Sequence, residues 1–183
     1  LDGDEMLSEE LRTSILGIKD DLRYDGYFFN RLNNFYGTWV RHSGVYPNRK
    51  IRLFHREKGV WGGINPHDRF ILHKGKRKAR LNGDLLHYMY SSLEDHLEKI
   101  MNFTSISAAS HYKMGIRSNP YKLIVHPTWR FLRDYFINQG FRDGLTGYTV
   151  CYLNAYAGYL KYLKLQQLEK RSREMSGITI SNA

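Results

Sequence analysis

The segment from Leu145 to about Arg171 constrains this chain's fold more than any other. At about 100° per residue, Tyr148, Tyr152, Tyr156, Tyr159 and Tyr162 fall on one face of a helix, with Val150, Leu153, Ala157 and Leu160 opposite. Charge enters only from Lys161 onward, with Lys164, Lys170, Arg171 and Arg173. A helix apolar on both sides must bury both, against protein or against lipid. Tyrosine tolerates an interface, because its ring is apolar and its hydroxyl wet. With basic residues added, the pattern suits a helix lying on an anionic bilayer. A core helix or a dimer-interface helix satisfies the same pattern. The face of Tyr148, Tyr152, Tyr156 and Tyr159, with Lys161 and Lys164, is the candidate membrane or homo-oligomer interface.

The preceding residues divide into a β-rich part and a helical part. Ser8 followed by Glu9 and Glu10 starts a helix over residues 9–22, with Leu11, Ile15, Ile18 and Leu22 on one face. Tyr27 to Tyr36 reads as a strand, although Asn33-Asn34 is poor strand material. Trp39 to His42 continues as extended chain, and Ile51 and Leu53 alternate with Lys50 and Arg52 as in a half-buried strand. Val60 to Ile64 is a bent strand or loop, Arg69 to His73 a strand, Lys74 to Arg80 a basic hairpin tip, and Leu81 to Tyr88 the last strand. Ser91 and Glu94 then form a capping box. The helix it opens runs to about Lys113, with Leu93, Leu97, Ile100, Met101, Thr104 and Ala108 as its buried stripe. Pro127 suits a first helical turn, Trp129, Leu132 and Phe136 share a face, and Gly140 is a stop. Asp143 caps the final helix, and residues 172–183 form a flexible tail.

The 183 residues suffice for one domain with a helical extension. Twenty-eight Lys and Arg against 18 Asp and Glu give a formal charge of +10, which favours an anionic partner: nucleic acid, acidic lipid or a phosphorylated substrate. The lone Cys151 excludes an internal disulfide. No Gly-x-Ser-x-Gly, phosphate-binding Gly-Lys loop or zinc-spaced Cys/His set is present.

One acidic cluster has chemical potential. Asp2-Gly3-Asp4-Glu5 places two carboxylates one residue apart, which is either a solvated turn or a grip for Mg²⁺ or Mn²⁺. The stretch Asp2 to Leu11 resembles the acidic segment of family 2 glycosyltransferases. Tyr46-Pro47-Asn48-Arg49-Lys50-Ile51-Arg52-Leu53-Phe54, Leu81-Asn82-Gly83-Asp84-Leu85-Leu86-His87-Tyr88 and Gly140-Phe141-Arg142-Asp143-Gly144 resemble three further segments of that family, in its order. The likeness covers about residues 1–170 and points to bacterial lipopolysaccharide-core sugar transferases.

The resemblance implies an α/β fold: a partial GT-A fold of mixed sheet and flanking helices over residues 1–90, then a helical region over 91–171. It also implies that the chain is the acceptor-side portion of a longer enzyme, without the β-α-β units that bind the nucleotide. Asp4, Asp2 and His87 would hold Mg²⁺ or Mn²⁺ and the diphosphate of a nucleotide-sugar donor, UDP-linked by family habit. Asp68 would be the catalytic base, although the family has Glu there. Arg52, Trp61 and His67 would contact a lipid-linked or lipopolysaccharide-core acceptor. The expected location is cytoplasmic, peripheral on the inner face of the plasma membrane. The competing reading is a non-catalytic basic module that binds nucleic acid or membrane through Lys74 to Arg80 and the terminal helix. The specific motif order makes nucleic acid the weaker partner.

Overall fold

The structure, a computed structural model, describes residues 1–63 and 69–181. His67 and Asp68 lie outside the described residues. In chain order, β1 (Glu5–Leu7) leads into α1 (Glu9–Leu16), β2 (Gly26–Phe35), β3 (Thr38–Val40), β4 (Asn48–Phe54), β5 (Gly59–Gly62), β6 (Arg69–Leu72) and β7 (Lys78–Tyr90). The helices α2 (Leu93–Lys113), α3 (His126–Leu132) and α4 (Gly144–Ser181) follow. The result is the expected α/β architecture: a mixed sheet with helices, then a helical C-terminal segment.

Five strands form the main sheet in the order β1-β7-β2-β3, with β4 also paired to β2. The central pair, β2 and β7, is parallel, while β1, β3 and β4 join antiparallel. β5 and β6 make a separate hairpin. β2 persists through Asn33 and Asn34 because both amides find partners. Asn33 Oδ1 lies 2.9 Å from His87 Nδ1, and Asn34 Oδ1 accepts from Gly37 N at the β2–β3 turn.

The segments that resemble the family meet one another. Ser8 Oγ accepts from Leu11 N (3.2 Å) and from Asp84 N (3.1 Å), stitching α1 to β7. Gly83 has φ +89°, and a Cβ there would lie 2.3 Å from Leu11 N. Glycine is therefore required at this point of closest approach. Leu11 is fully buried among Tyr27, Phe29, Leu81 and Leu85. Tyr46 Oη donates to Asp84 Oδ1, and Arg52 pairs with Glu5.

Several expectations about the helices are corrected. α1 stops at Leu16, not residue 22; Leu11, Ile15 and Ile18 pack on the core, whereas Leu22 lies past the helix and is exposed. The cap of α2 sits one residue later than expected: Ser92 Oγ accepts from Asp95 N, while Asp95 Oδ2 accepts from Ser91 N. Its buried row is His96, Ile100, Thr104 and Ala108, against α4, which leaves Leu93, Leu97 and Met101 exposed. Trp129, Leu132 and Phe136 also face outward, and Pro127 and Asp134 point in instead. Pro127 stands in the first turn of α3, as expected, although α3 follows directly on a wide helical turn at Tyr121–Val125. The helical segment ends at Ile137, capped by Asn138, with Gln139 left-handed (φ 56°). Gly140 is buried where a Cβ would sit 2.6 Å from Cys151 Sγ.

α4 runs beyond Arg171 to Ser181. Val150 joins Phe35, Val40 and Tyr90 in one cluster, which seats the helix on the sheet. Tyr162, expected with the other tyrosines, is buried beside Ala108 and Leu165. Tyr148, Tyr152, Tyr156 and Tyr159 form an exposed ladder of stacked rings, with successive centroids 6.4–6.5 Å apart.

Candidate active site

The acidic cluster and His87 come together across three strands. Register pairs Glu5 with His87, and His87 with Asn33. His87 Nδ1 donates to Asn33 Oδ1, and this pairing sets the tautomer with Nε2 unprotonated. Nε2 lies 3.3 Å from Asp4 Oδ2. Burial, followed by the nearby Arg31 guanidinium, lowers the His87 pKa and favours the neutral ring. Two lone-pair-bearing atoms so close call for a proton or a cation between them. Cis ligands of an octahedral ion bound at about 2.1 Å sit about 3 Å apart, so Asp4 and His87 fit one divalent cation. Among the described residues no cluster of three or more His, Cys, Asp or Glu side chains is placed to hold an ion. Magnesium commonly takes few protein ligands and completes its shell with water and phosphate oxygens.

The rest of the acidic cluster has another task. Arg52 Nη2 reaches Glu5 Oε1 at 2.7 Å and Asp2 Oδ2 at 2.8 Å, and Arg31 Nη1 stands 3.8 Å from Glu5 Oε1. The Glu5 side chain is fully buried. Asp2 is therefore drawn to Arg52 rather than to the Asp4–His87 pair, which corrects its expected place among the metal ligands. Arg52, expected to await an acceptor phosphate, is neutralised by the same contacts. Ion pairing across three segments explains both shifts, and spacing in sequence does not reveal such partners.

Two clefts meet at Arg31. One, of about 990 Å³, is lined by Asp2, Arg52 and Trp61 together with Arg49, Arg69 and Lys78. Trp61 is exposed there and packs edge-on to Phe54 and Phe70, so an aromatic surface borders the cationic one. The other, of about 550 Å³, extends from Asp4 and His87 to Arg130, Asn154 and Lys161 on the helices. Its wall includes His96, whose ring stacks on Tyr90 at 3.7 Å and whose Nδ1 is hydrogen-bonded to Tyr36 Oη. Burial pushes the His96 pKa down to about 4.

The two lysines assigned to the membrane face are not on it. Lys164 Nζ donates to Met101 O, Thr104 Oγ1 and Ser105 Oγ at 2.7–2.9 Å, fastening α4 to α2. Lys161 lines the smaller cleft, 4.4 Å over the Tyr162 ring. Asp143 does not cap α4 either. Its carboxylate accepts from His42 N (2.8 Å) and Arg41 N (3.2 Å) and contacts His42 Nδ1 (2.8 Å), tying the helices to the loop after β3. Sequence reasoning missed Arg31, Asn33 as the partner of His87, and the cleft residues Arg130 and His96. An arginine or asparagine inside a strand pattern is the signal that could have found the first two.

No protein-family model matches the chain, and no solved structure matches it. Curated relatives do. An uncharacterized glycosyltransferase of Rickettsia typhi is 29% identical over 186 residues, covering 96% of this chain and 63% of that protein. One of Rickettsia prowazekii is 28% identical over the same shares. The lipopolysaccharide core biosynthesis glycosyltransferase LpsC of Rhizobium meliloti is 28% identical over 170 residues, 91% of this chain and 62% of that protein. The chain spans less than two thirds of the length of these relatives. Along most of its own length, therefore, it is similar to proteins named as glycosyltransferases, one of them for lipopolysaccharide core.

Proposed function

We propose that the chain is the acceptor-side part of a metal-dependent, inverting glycosyltransferase of the family 2, GT-A type. It acts on a nucleotide-sugar donor, UDP-linked, and a lipid-linked or lipopolysaccharide-core acceptor. The observation that carries this reading is the Asp4–His87 pair, 3.3 Å apart at the end of a cationic cleft, in a chain similar to glycosyltransferases. A Mg²⁺ or Mn²⁺ held by Asp4 and His87 would supply Lewis-acid stabilisation of the departing diphosphate. Glu5, Arg52 and Arg31 hold the strand end that carries Asp4. An acceptor hydroxyl oxygen attacks the anomeric carbon, the bond to the donor phosphate breaks, and Asp68 takes the hydroxyl proton. Trp61 and His67 would contact the acceptor. The exposed ladder from Tyr148 to Tyr159 rests on an anionic bilayer at its cytoplasmic face, or on a second copy of the chain. No described helix is long and apolar enough to cross a membrane.

In the full-length enzyme, Asp4→Ala lowers sugar transfer more than about a hundredfold, as loss of a metal ligand should. Circular dichroism of the variant stays that of the wild type. Transfer at the wild-type rate would end this reading.

The large basic cleft favours one alternative, a non-catalytic module for an anionic polymer. A salt-sensitive mobility shift with generic DNA, together with no response to Mn²⁺ and sugar nucleotides, would favour it.

A further inference from the structure

The helical end of the smaller cleft carries positive charge that the protein itself does not balance. Of the residues lining this cleft, Arg31, Lys99, Arg130 and Lys161 are cations and Asp4 is the one carboxylate. Arg31 has Glu5 at 3.8 Å, and Lys99 has Asp95 at 3.2 Å. Lys161 forms no ion pair among the described residues, and its neighbour is the Tyr162 ring. Arg130 approaches Asp134 only at 3.6 Å, since that carboxylate also serves Arg133 and Asn138 at 2.8 and 2.9 Å. The Arg130 Nε is buried without a hydrogen-bond partner, as is Nδ1 of His126.

The groups also repel one another. Lys161 has its pKa lowered by burial and then by Arg130 and Lys122, and His126 by burial and then by Lys161 and Arg130. Gly158, beside them, adds no side chain to fill the cleft, and the nearest atom to a Cβ there would be His126 Nδ1 at 3.9 Å. Cations gathered from α3 and α4 around an open space, with donors unspent, are what an anionic ligand completes.

We propose that Lys161 and Arg130 form a subsite for the phosphate group of a phosphorylated ligand, in the cleft that Asp4 and His87 also line. The glycosyltransferase reading bears only on where that phosphate comes from: a phosphate ester on the acceptor, or the donor's diphosphate. Lysine supplies a compact charge, and the arginine fork supplies directed donors to adjacent phosphate oxygens. In the larger cleft Glu5 and Asp2 serve Arg52, and Glu5 serves Arg31, whereas Arg49 and Arg69 form no ion pair among the described residues.

Calorimetric titration of the chain with glucose 6-phosphate, with glucose, and with pyrophosphate plus Mn²⁺ tests the assignment. Either phosphate probe should bind where glucose does not. Lys161→Gln and Arg130→Gln should each weaken it about tenfold or more, while Lys19→Gln, exposed just after α1 and outside both clefts, leaves it unchanged. Glucose 6-phosphate affinity that survives Asp4→Ala identifies an acceptor phosphate. Pyrophosphate affinity that needs both Asp4 and Lys161 identifies the donor diphosphate. Phosphate probes that bind no better than glucose, or affinity untouched by Lys161→Gln in a folded variant, would overturn the subsite. Phosphate binding lost in Lys161→Gln beside full transfer by Asp4→Ala would keep the subsite and remove the catalytic reading.

Discussion

The two ends of the Asp4–Lys161 cleft treat charge in opposite ways. At the sheet end, Glu5 is fully buried yet held by Arg52 at 2.7 Å, and Asp84 accepts from Tyr46 while Arg41 stands 3.7 Å away. At the helical end, Lys161 and Arg130 face one another's charge, and Trp129, Phe136, Ile137 and Tyr152 turn outward. The sheet end gives its buried carboxylate counter-ions, although the Nε atoms of Arg31 and Arg52 keep no hydrogen-bond partner, so its residues are occupied mainly with folding and with aiming Asp4. The helical end leaves both charge and apolar surface unmatched within the chain. That difference separates a structural scaffold from a surface built for something else.

The largest effect should come from breaking the buried pairing. Glu5→Ala strands Arg31 without its counter-ion, leaves Arg52 only the half-exposed Asp2, and costs about 3 kcal/mol in denaturant unfolding. A loss under about 1 kcal/mol would mean the pairing is solvated after all. Next is His96, whose neutral form the fold prefers. Its folded pKa, about 4, lies below the unfolded value of 6.5. The stability it contributes is therefore full above pH 6.5 and lost as pH falls toward 4, by up to about 3 kcal/mol. Unfolding midpoints across that range should show the decline, and His96→Gln should flatten it.

Asp143→Ala removes the acceptor of two backbone N–H groups and should cost about 2 kcal/mol. Hydrogen exchange would locate the new opening at the Arg41 and His42 amides, and unchanged protection there would refute the clamp. The smallest change in stability belongs to Tyr152→Glu, within about 0.5 kcal/mol because the ring is exposed. The same variant should nonetheless lose sedimentation with anionic vesicles, or lose dimer mass in light scattering. Retention of both would leave the tyrosine ladder without a role.

Much of the sheet end was legible because local rules act there without competition. Ser8 caps α1 because a hydroxyl before two glutamates satisfies free N–H groups wherever the helix lies. β4 follows from the alternation of Ile51 and Leu53 with Lys50 and Arg52, whereas β7 starts at Lys78, inside the expected basic hairpin tip. Helix faces were legible only in part. Leu97 and Met101 share a stripe by periodicity, but a periodicity names a face without naming what covers it. Here α4 chose the row of His96, Ile100, Thr104 and Ala108.

The site divides along the same line. Asp4 and His87 could be singled out by residue type and segment order, but their 3.3 Å approach depends on β1 pairing with β7. The sequence by itself determined the acidic cluster and the terminal helix, because those rest on spacing within a few residues, while the α/β class came from the order of segments that carries the family resemblance. Only the tertiary structure decided that Asp2 turns to Arg52, that Lys164 fastens α2 and that Lys161 lines a cleft. Charge partners lie far apart along the chain, and a side chain's surroundings exist only once those distant segments have packed.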